Sequence, residues 1–304
     1  MVFGPTAVGK TSLLVRILGG ISNNRFEIIN ADSMQVYRYL DIGTAKPDAV
    51  ILEKIPHHLI DIVDPDEQFT VGDFVREAER LVAEISERGK IPVISGGTAF
   101  YLKTFICGMP ETPVGNKEVR KKLKERLFEK GLASMYRQLE NVDPLSAGRI
   151  RPGDSYRILR ALEVYYSTGR PLSSYRRPDE IRRDYDLLMI GLERERADLY
   201  GRIERRVDDM FERGLAGEVK GLIEQGYRES DPGMKGIGYR EFFEFRRGCG
   251  TLDMVRELIK RNTRRYAKRQ ITFMKKLKGV FWYHADDEVR ILSLIRDFIG
   301  EFHR

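Results

Sequence analysis

Gly4-Pro5-Thr6-Ala7-Val8-Gly9-Lys10-Thr11 sits between the apolar pair Val2-Phe3 and a helical run from Thr11 to Leu18. A Gly-x-x-x-x-Gly-Lys-Thr stretch in that setting is a phosphate-binding loop, because its two glycines let successive backbone N–H groups turn inward on one anion. Lys10 adds a point charge, Thr11 offers a hydroxyl to Mg2+, and the helix behind presents its positive N-terminus. Such a loop implies a parallel α/β sheet, and the surrounding chain follows that pattern. Phe26 to Ala31 reads as a strand ending at Asp32, and Leu59 to Val63 as another, stopped by Asp64-Pro65. Ile91 to Ile94 reads as a buried strand leading into the tight turn Ser95-Gly96-Gly97-Thr98. Between them, Asp73 to Arg88 carries Phe74, Ala78, Leu81, Val82 and Ile85 at the spacing of an amphipathic helix. Only three residues precede Gly4, so the first strand is expected to be unusually short.

The reading divides the chain into an α/β core over 1–112, a helical insertion over 113–183, and a return over 184–304. The insertion shows no convincing strand; charged helical segments are punctuated by Gly131, Asp143-Pro144, Pro152-Gly153 and Gly169. Leu123, Leu127 and Tyr136 read as its core. Asp186 to Leu192 reads as a strand rejoining the sheet, and from Leu199 onward the chain reads as helical with a break over Gly233 to Gly238. The expected class is therefore α/β: a P-loop parallel-sheet core, a helical insertion domain and a basic helical C-terminal region.

No apolar run approaches the ~18–20 residues that cross a bilayer, which argues against a membrane protein. The start lacks the basic and apolar regions of a secretory signal. Cys107 and Cys249 lie far apart in no metal-ligand pattern, and two lone thiols fit a reducing, cytoplasmic setting. The net charge is +7, and from Arg246 to Lys278 basic residues crowd against only Asp253 and Glu257. Lys260, Arg264 and Lys268, beside Arg261, Arg265 and Arg269, recur every four residues as one helical stripe. A polyanion partner and a solvated surface both fit that stripe.

The strand expected to carry the second Mg2+ carboxylate of an ordinary P-loop ATPase is Ile91 to Ile94, yet it ends in Ser95-Gly96-Gly97. The well-placed acid is Asp32, at the end of the other strand, facing the crevice where open α/β sheets bind substrates. A general base, a substrate contact, a metal ligand and a structural cap all suit that position. His57 and His58 form no natural metal pair, since neighbours on a strand point to opposite faces.

Further motifs narrow the choice. Ala31-Asp32-Ser33-Met34-Gln35-Val36-Tyr37, Asp41-Ile42-Gly43-Thr44-Ala45-Lys46-Pro47 and His57-His58-Leu59-Ile60-Asp61 follow the loop in order. Then come Gly96-Gly97-Thr98, Arg157 to Val164, Ile203 to Met210, Gly236 to Arg240 and Ala267 to Gln270. Together with Gly4 to Thr11, this series resembles the tRNA dimethylallyltransferases, also called tRNA isopentenyltransferases, over nearly the whole chain. Phe273 stands where the family often has tryptophan, and no zinc-finger extension follows Arg304, so the resemblance is to the bacterial type.

The resemblance implies transfer of a dimethylallyl group from dimethylallyl diphosphate to N6 of adenosine 37, beside the tRNA anticodon. On this reading Gly4, Pro5, Thr6, Ala7, Val8, Gly9, Lys10 and Thr11 hold the diphosphate, with Mg2+ on Thr11 and with Arg206, rather than its neighbour Arg205, neutralising the leaving group. Asp32 takes the N6 proton, and Thr98 hydrogen-bonds near Asp32 and the adenine. The implied tRNA contacts are Asp32, Ser33, Met34, Gln35, Thr98, Arg120, Tyr156, Arg157, Ile158, Leu159, Arg160, Lys235, Gly236, Ile237, Gly238, Tyr239 and Arg240. Tyr156 and Tyr239 suit stacking on unpaired bases, and the insertion would clasp the anticodon stem-loop of a tRNA bound to a monomer. Prenylation of free AMP, a P-loop kinase or NTPase, and a catalytically silent RNA-binding protein are the competing readings.

Overall fold

The computed structural model describes residues 1–21, 25–175, 178–246 and 250–301. Cys249, and the part of the basic stretch just after Arg246, lie outside the described residues. The chain forms two compact units, one of Met1–Ile106 with Arg182–Arg304 and the other of Cys107–Ile181.

The larger unit begins with β1 (Val2–Phe3), α1 (Lys10–Ile21), β2 (Phe26–Asn30), α2 (Ala49–Lys54), β3 (His57–His58), α3 (Val71–Glu87), β4 (Ile91–Gly96) and α4 (Ala99–Cys107). The second unit holds α5 (Lys117–Val142), α6 (Pro144–Ala147) and α7 (Ser155–Thr168). The larger unit resumes with β5 (Ile190–Glu193), α8 (Arg196–Glu212), α9 (Leu215–Glu224), α10 (Arg240–Arg246), α11 (Leu252–Met274), β6 (Phe281–His284) and α12 (Glu288–Glu301).

Six strands pair in the order β3-β2-β4-β1-β5-β6, and every pair is parallel. Helices cover both faces of such a sheet, so its central strands read as uninterrupted apolar runs. Phe3, Ile28, Ile29, Ile94, Ile190 and Leu192 are all buried. Strand order reverses around β1 and β4: the chain leaves β1 for β2 on one side and leaves β4 for β5 on the other. The crevice at the carboxyl ends of those two strands is the topological switch point of the sheet.

Local chemistry sets the element ends. Thr70 and Asp73 form a capping box at the start of α3, with the Asp73 carboxylate accepting from Thr70 N at 2.9 Å and Thr70 Oγ1 accepting from Asp73 N at 3.2 Å. Phe74, Ala78, Leu81 and Ile85 then line its buried face. In the second unit, α5 changes course at Gly131, whose φ of 71° breaks the helix, and α7 ends on the left-handed Gly169. Leu123, Met135, Leu139, Ile158 and Leu162 make that unit's core, with Leu127 and Tyr136 packed at its edge.

A buried carboxylate lies inside the sheet. Glu27 on β2 meets Lys90 at 2.9 Å, Arg88 at 2.7 Å and His58 Nε2 at 2.7 Å. Burial alone would raise its pKa; hydrogen bonds from Lys90 and His58 and the charges of Lys90 and Arg88 bring it down to about 2. His57 instead uses Nδ1 on the Ile55 carbonyl, so the two histidines serve separate partners.

Three strand assignments differ from expectation. The strand expected over Leu59 to Val63 lies earlier, at His57–His58, because Leu59 and Asp61 take left-handed φ values of 63° and 56° that end pairing. The return strand is confined to Ile190–Glu193, so Asp186 to Met189 precede it. The region after Leu199 is not wholly helical: β6 adds a strand beside β5, Phe281 opposite Ile190 and His284 opposite Glu193. Its signal in the sequence is the aromatic run Phe281-Trp282-Tyr283 between Gly279 and Asp286-Asp287, short beside the helical stretches that flank it. Gly191 accommodates it, since a Cβ there would come within 2.6 Å of the Trp282 ring.

Candidate active site

The Gly4–Thr11 loop leaves β1 and turns into α1 at the switch point. Gly4 is required by contact, because a Cβ there would stand 2.7 Å from the Leu192 carbonyl oxygen on β5. Gly9 is required by conformation, at φ 106°. Ala7 also adopts φ 62°, an unusual value for a residue with a Cβ. Lys10 folds over the loop, its Nζ donating to the carbonyls of Gly4 at 3.1 Å and Pro5 at 2.9 Å. Thr11 stands exposed in the first turn of α1.

Two side chains that the sequence reading left without a role brace this loop. Gln270 of α11 is buried; its Oε1 accepts from Thr6 N at 2.9 Å and its Nε2 donates to the Gly97 carbonyl at 2.6 Å. One amide thus ties the loop after β1 to the loop after β4. Arg194, immediately after β5, donates Nε to the Val8 carbonyl at 2.8 Å and is itself held by Asp198 and Asp286. Gln270 closes the quoted Ala267–Gln270 motif, and Arg194 follows the return strand; those positions are the signals by which both could have been found.

Asp32 follows β2 and is half-buried. Its Oδ1 accepts from Met34 N at 2.9 Å, a short turn that holds the Ser33–Gln35 segment. Among the described residues no hydrogen bond reaches its Oδ2. The cap role is therefore met by one oxygen, and the other remains available for chemistry. Thr98 accepts from Ser33 N at 2.8 Å through Oγ1 and donates its own N–H to the Ala31 carbonyl at 3.1 Å, so it clamps the backbone on both sides of Asp32. Tyr266 of α11 closes this side. Burial first and the Asp32 charge next push its hydroxyl up to about 12, with hydrogen bonds from Thr98 and Gln270 acting the other way, so it stays neutral.

Arg206 reaches the site from α8. Nη1 lies 3.4 Å from Thr6 Oγ1, and Nη2 donates to the Thr44 carbonyl at 3.3 Å. Arg205, its neighbour, points to solvent. Burial holds Arg206 below the usual arginine range while Asp32 acts to raise it. Lys10 falls to about 8, first through burial, with Asp32 raising it and Arg206 lowering it further. Lys10, Asp32 and Arg206 thus sense one another across a single polar crevice, with two cations against one carboxylate. Such a crevice suits an anion with several oxygens.

The remaining predicted residues divide sharply. Gln35 donates to the Thr44 and Ala45 carbonyls at 3.1 and 3.2 Å, and Met34 packs on Gly236, where a Cβ would meet its Cε at 2.4 Å. Lys235 and Arg240 are exposed, Ile237 is half-buried, and the Gly238 N–H donates to Glu241 at 2.9 Å. Tyr239 corrects an expectation: it is fully buried with its hydroxyl 2.7 Å from Glu218, so its ring cannot stack on a base. Ile158 is likewise buried, in the core of the second unit. There Tyr156 is 71% exposed with the Arg120 guanidinium over its ring at 5.8 Å, Arg120 and Arg160 pair with buried Glu163 at 3.3 Å each, Arg157 pairs with Asp154, and Leu159 is half-buried.

The basic stripe of α11 also divides. Lys260 pairs with Asp208 at 2.8 Å and Arg264 with Glu204 at 2.6 Å, so both help dock α11 on α8. Arg261, Arg265, Lys268 and Arg269 are exposed. Among the described residues no group of three His, Cys, Asp or Glu side chains could hold a metal ion, and no helix is long and apolar enough to cross a membrane.

Comparison with known proteins gives one answer. A family model described as IPP transferase matches residues 35–277. A tRNA dimethylallyltransferase of Geobacter sulfurreducens is 45% identical over 283 residues, covering 93% of this chain and 90% of that protein. The structure of a tRNA isopentenylpyrophosphate transferase from Bacillus halodurans aligns with TM-score 0.70 and 39% identity, over 99% of this chain and 94% of that one. A eukaryotic dimethylallyltransferase acting on tRNA aligns with TM-score 0.82 and 31% identity, over 99% of this chain and 79% of that one. The six-stranded parallel sheet, the ordered motifs and these likenesses agree: the chain belongs to the IPP transferase family, that of the tRNA dimethylallyltransferases.

Proposed function

We propose that this protein transfers a dimethylallyl group from dimethylallyl diphosphate to N6 of adenosine 37 of tRNA, releasing diphosphate. The observation that carries the reading is the meeting of Lys10, Arg206 and Asp32 at the switch-point crevice, with no acid following β4. A loop that serves nucleotide hydrolysis uses such an acid for its metal; a loop that holds a departing diphosphate has less need of one.

The adenine N6 lone pair is delocalised into the ring, which makes the amine a weak nucleophile. As its nitrogen bonds to the terminal allylic carbon, the C–O bond to diphosphate breaks and one N6 proton passes to Asp32. Charge then accumulates on the departing diphosphate, where Lys10, Arg206 and the inward N–H groups of the Gly4–Thr11 loop oppose it. The donor set suits Mg2+, which keeps most of its water and takes one or two protein oxygens with phosphate oxygens; the Thr11 hydroxyl would be its protein ligand. Bound there, it would add positive charge against the leaving group. Gln270, Arg194 and Thr98 hold these groups in place.

On the RNA side, adenosine 37 must leave its stack to reach such a crevice. Within the second unit, exposed Tyr156 with Arg120 and exposed Arg157 are suited to RNA contact; within the larger unit, Lys235 and Arg240 are suited to unpaired bases and Arg261, Arg265, Lys268 and Arg269 to the phosphate backbone. Offered dimethylallyl diphosphate with either tRNA or AMP, the protein is expected to prenylate the tRNA; modification of AMP alone would overturn the proposal.

A pH dependence follows from Lys10. Its cationic form grips an anion, and burial brings its pKa down to about 8, so the charge is lost above that pH. Affinity for inorganic diphosphate is expected to fall by up to about tenfold per pH unit above pH 8 relative to a Lys10→Arg variant, whose charge persists. Calorimetric titration from pH 6.5 to 9.5 checks this, and parallel profiles for the two proteins would contradict it.

A further inference from the structure

Glu218, on α9, lies outside every motif quoted above, yet its carboxylate is the most heavily engaged near the site. It accepts from three consecutive backbone N–H groups, Asp41 at 3.1 Å, Ile42 at 2.7 Å and Gly43 at 3.1 Å. A fourth bond comes from the Tyr239 hydroxyl at 2.7 Å. Three successive amides converging on one anion are a backbone nest, here filled from within the protein. Burial, followed by the Glu218 charge, pushes the Tyr239 hydroxyl far above its usual range, so it remains a donor.

The nest is built to close tolerance. A Cβ on Gly43 would stand 2.5 Å from Cζ of Tyr239, and Gly238, at φ 102°, packs against the Gly43 carbonyl. The loop is pinned a second time by buried Lys46, whose Nζ donates to the Tyr37 carbonyl at 2.7 Å and to Asp41 at 2.6 Å and is also bonded to Asp61. Between those anchors lies Thr44. Its carbonyl accepts from Arg206 Nη2 at 3.3 Å and from Gln35 Nε2 at 3.1 Å, and it is one of only two hydrogen-bond partners that orient the Arg206 guanidinium among the described residues.

We infer that Glu218 is a positioning residue: by filling the nest at 41–43 it sets the Thr44 carbonyl, and through it the direction in which Arg206 meets the diphosphate. The inference rests on the proposed function, because it concerns the same crevice. Glu218 does not touch the reacting atoms. Its contribution is to remove the freedom of a loop that would otherwise let a long, half-buried arginine choose among rotamers.

The test is a double-mutant cycle read by calorimetric binding of inorganic diphosphate to the full-length protein at pH 7. Glu218→Gln replaces one acceptor oxygen by an amide that cannot satisfy the same donors, and is expected to weaken binding about tenfold. Arg206→Ala is expected to weaken it more, and Glu218→Gln added to Arg206→Ala should then cost nothing further. A Tyr239→Phe variant, which removes a single donor and keeps the ring, should give a loss of about threefold that also vanishes without Arg206; it carries the test if Glu218→Gln does not fold. Wild-type binding in Glu218→Gln, or an undiminished loss in the Arg206→Ala background, overturns the inference and leaves the site reading standing. A wild-type protein that does not bind diphosphate overturns both.

Discussion

Replacing Asp32 by Asn is expected to lower the rate of dimethylallyl transfer by about two to four orders of magnitude while leaving tRNA affinity within about threefold. The choice of Asn matters. Asp32 Oδ1 accepts from Met34 N, and an Asn carbonyl can make the same bond, so the Ser33–Gln35 turn and the Thr98 clamp survive. What disappears is a carboxylate able to take a proton. Asp32→Ala removes the turn as well and should be at least as slow. Single-turnover transfer and filter binding of tRNA, measured on the same preparations, separate chemistry from recognition. Transfer by Asp32→Asn at the wild-type rate would eliminate Asp32 as the base.

The second large effect is expected at Arg206. Removing a charge-stabilising donor from a desolvated transition state typically costs about 100- to 1,000-fold in kcat, and Arg206→Ala should fall in that range. The loss should appear in kcat more than in tRNA affinity, because the charge that Arg206 opposes grows as the C–O bond breaks. Lysine at this position restores the charge but not the fork that lets one guanidinium lie against Thr6 and the Thr44 carbonyl together, so Arg206→Lys should recover only part of the rate. Equal kcat in Arg206→Ala and wild type would remove Arg206 from the leaving-group site. The neighbouring Arg205→Ala, on an exposed side chain, serves as the comparison.

What could be read from the residues, and what could not, follows from range. The Gly4–Thr11 loop, Asp32, the turn at Ser95–Thr98 and the stripe of α3 are local patterns, each carried by a few neighbouring residues. Spacing alone located them. The brace on the loop is not local: Gln270 lies 264 residues from Thr6, and Arg194 lies 186 from Val8. Only the closed sheet brings them together. Glu218 is similar, since its partners are backbone N–H groups that have no sequence signature of their own.

Errors arose where a local pattern met a tertiary demand. Leu59 to Val63 has the apolar content of a strand, but positive φ at Leu59 and Asp61 turns the chain away after His58. Tyr239 has the composition of a stacking residue, but its place between Gly43 and Glu218 buries it, and Ile158 is taken by the core of its own unit. In these cases backbone conformation or burial decides the residue's place, and neither is visible in spacing.

The most direct measurement is mass spectrometry of the nucleosides from tRNA incubated with this protein, dimethylallyl diphosphate and Mg2+. The account predicts an adenosine heavier by one five-carbon unit on N6, located at position 37, formed with release of one diphosphate and absent with Asp32→Asn. Unmodified tRNA in the presence of active, folded protein, or the same group appearing on a different nucleoside, would contradict it.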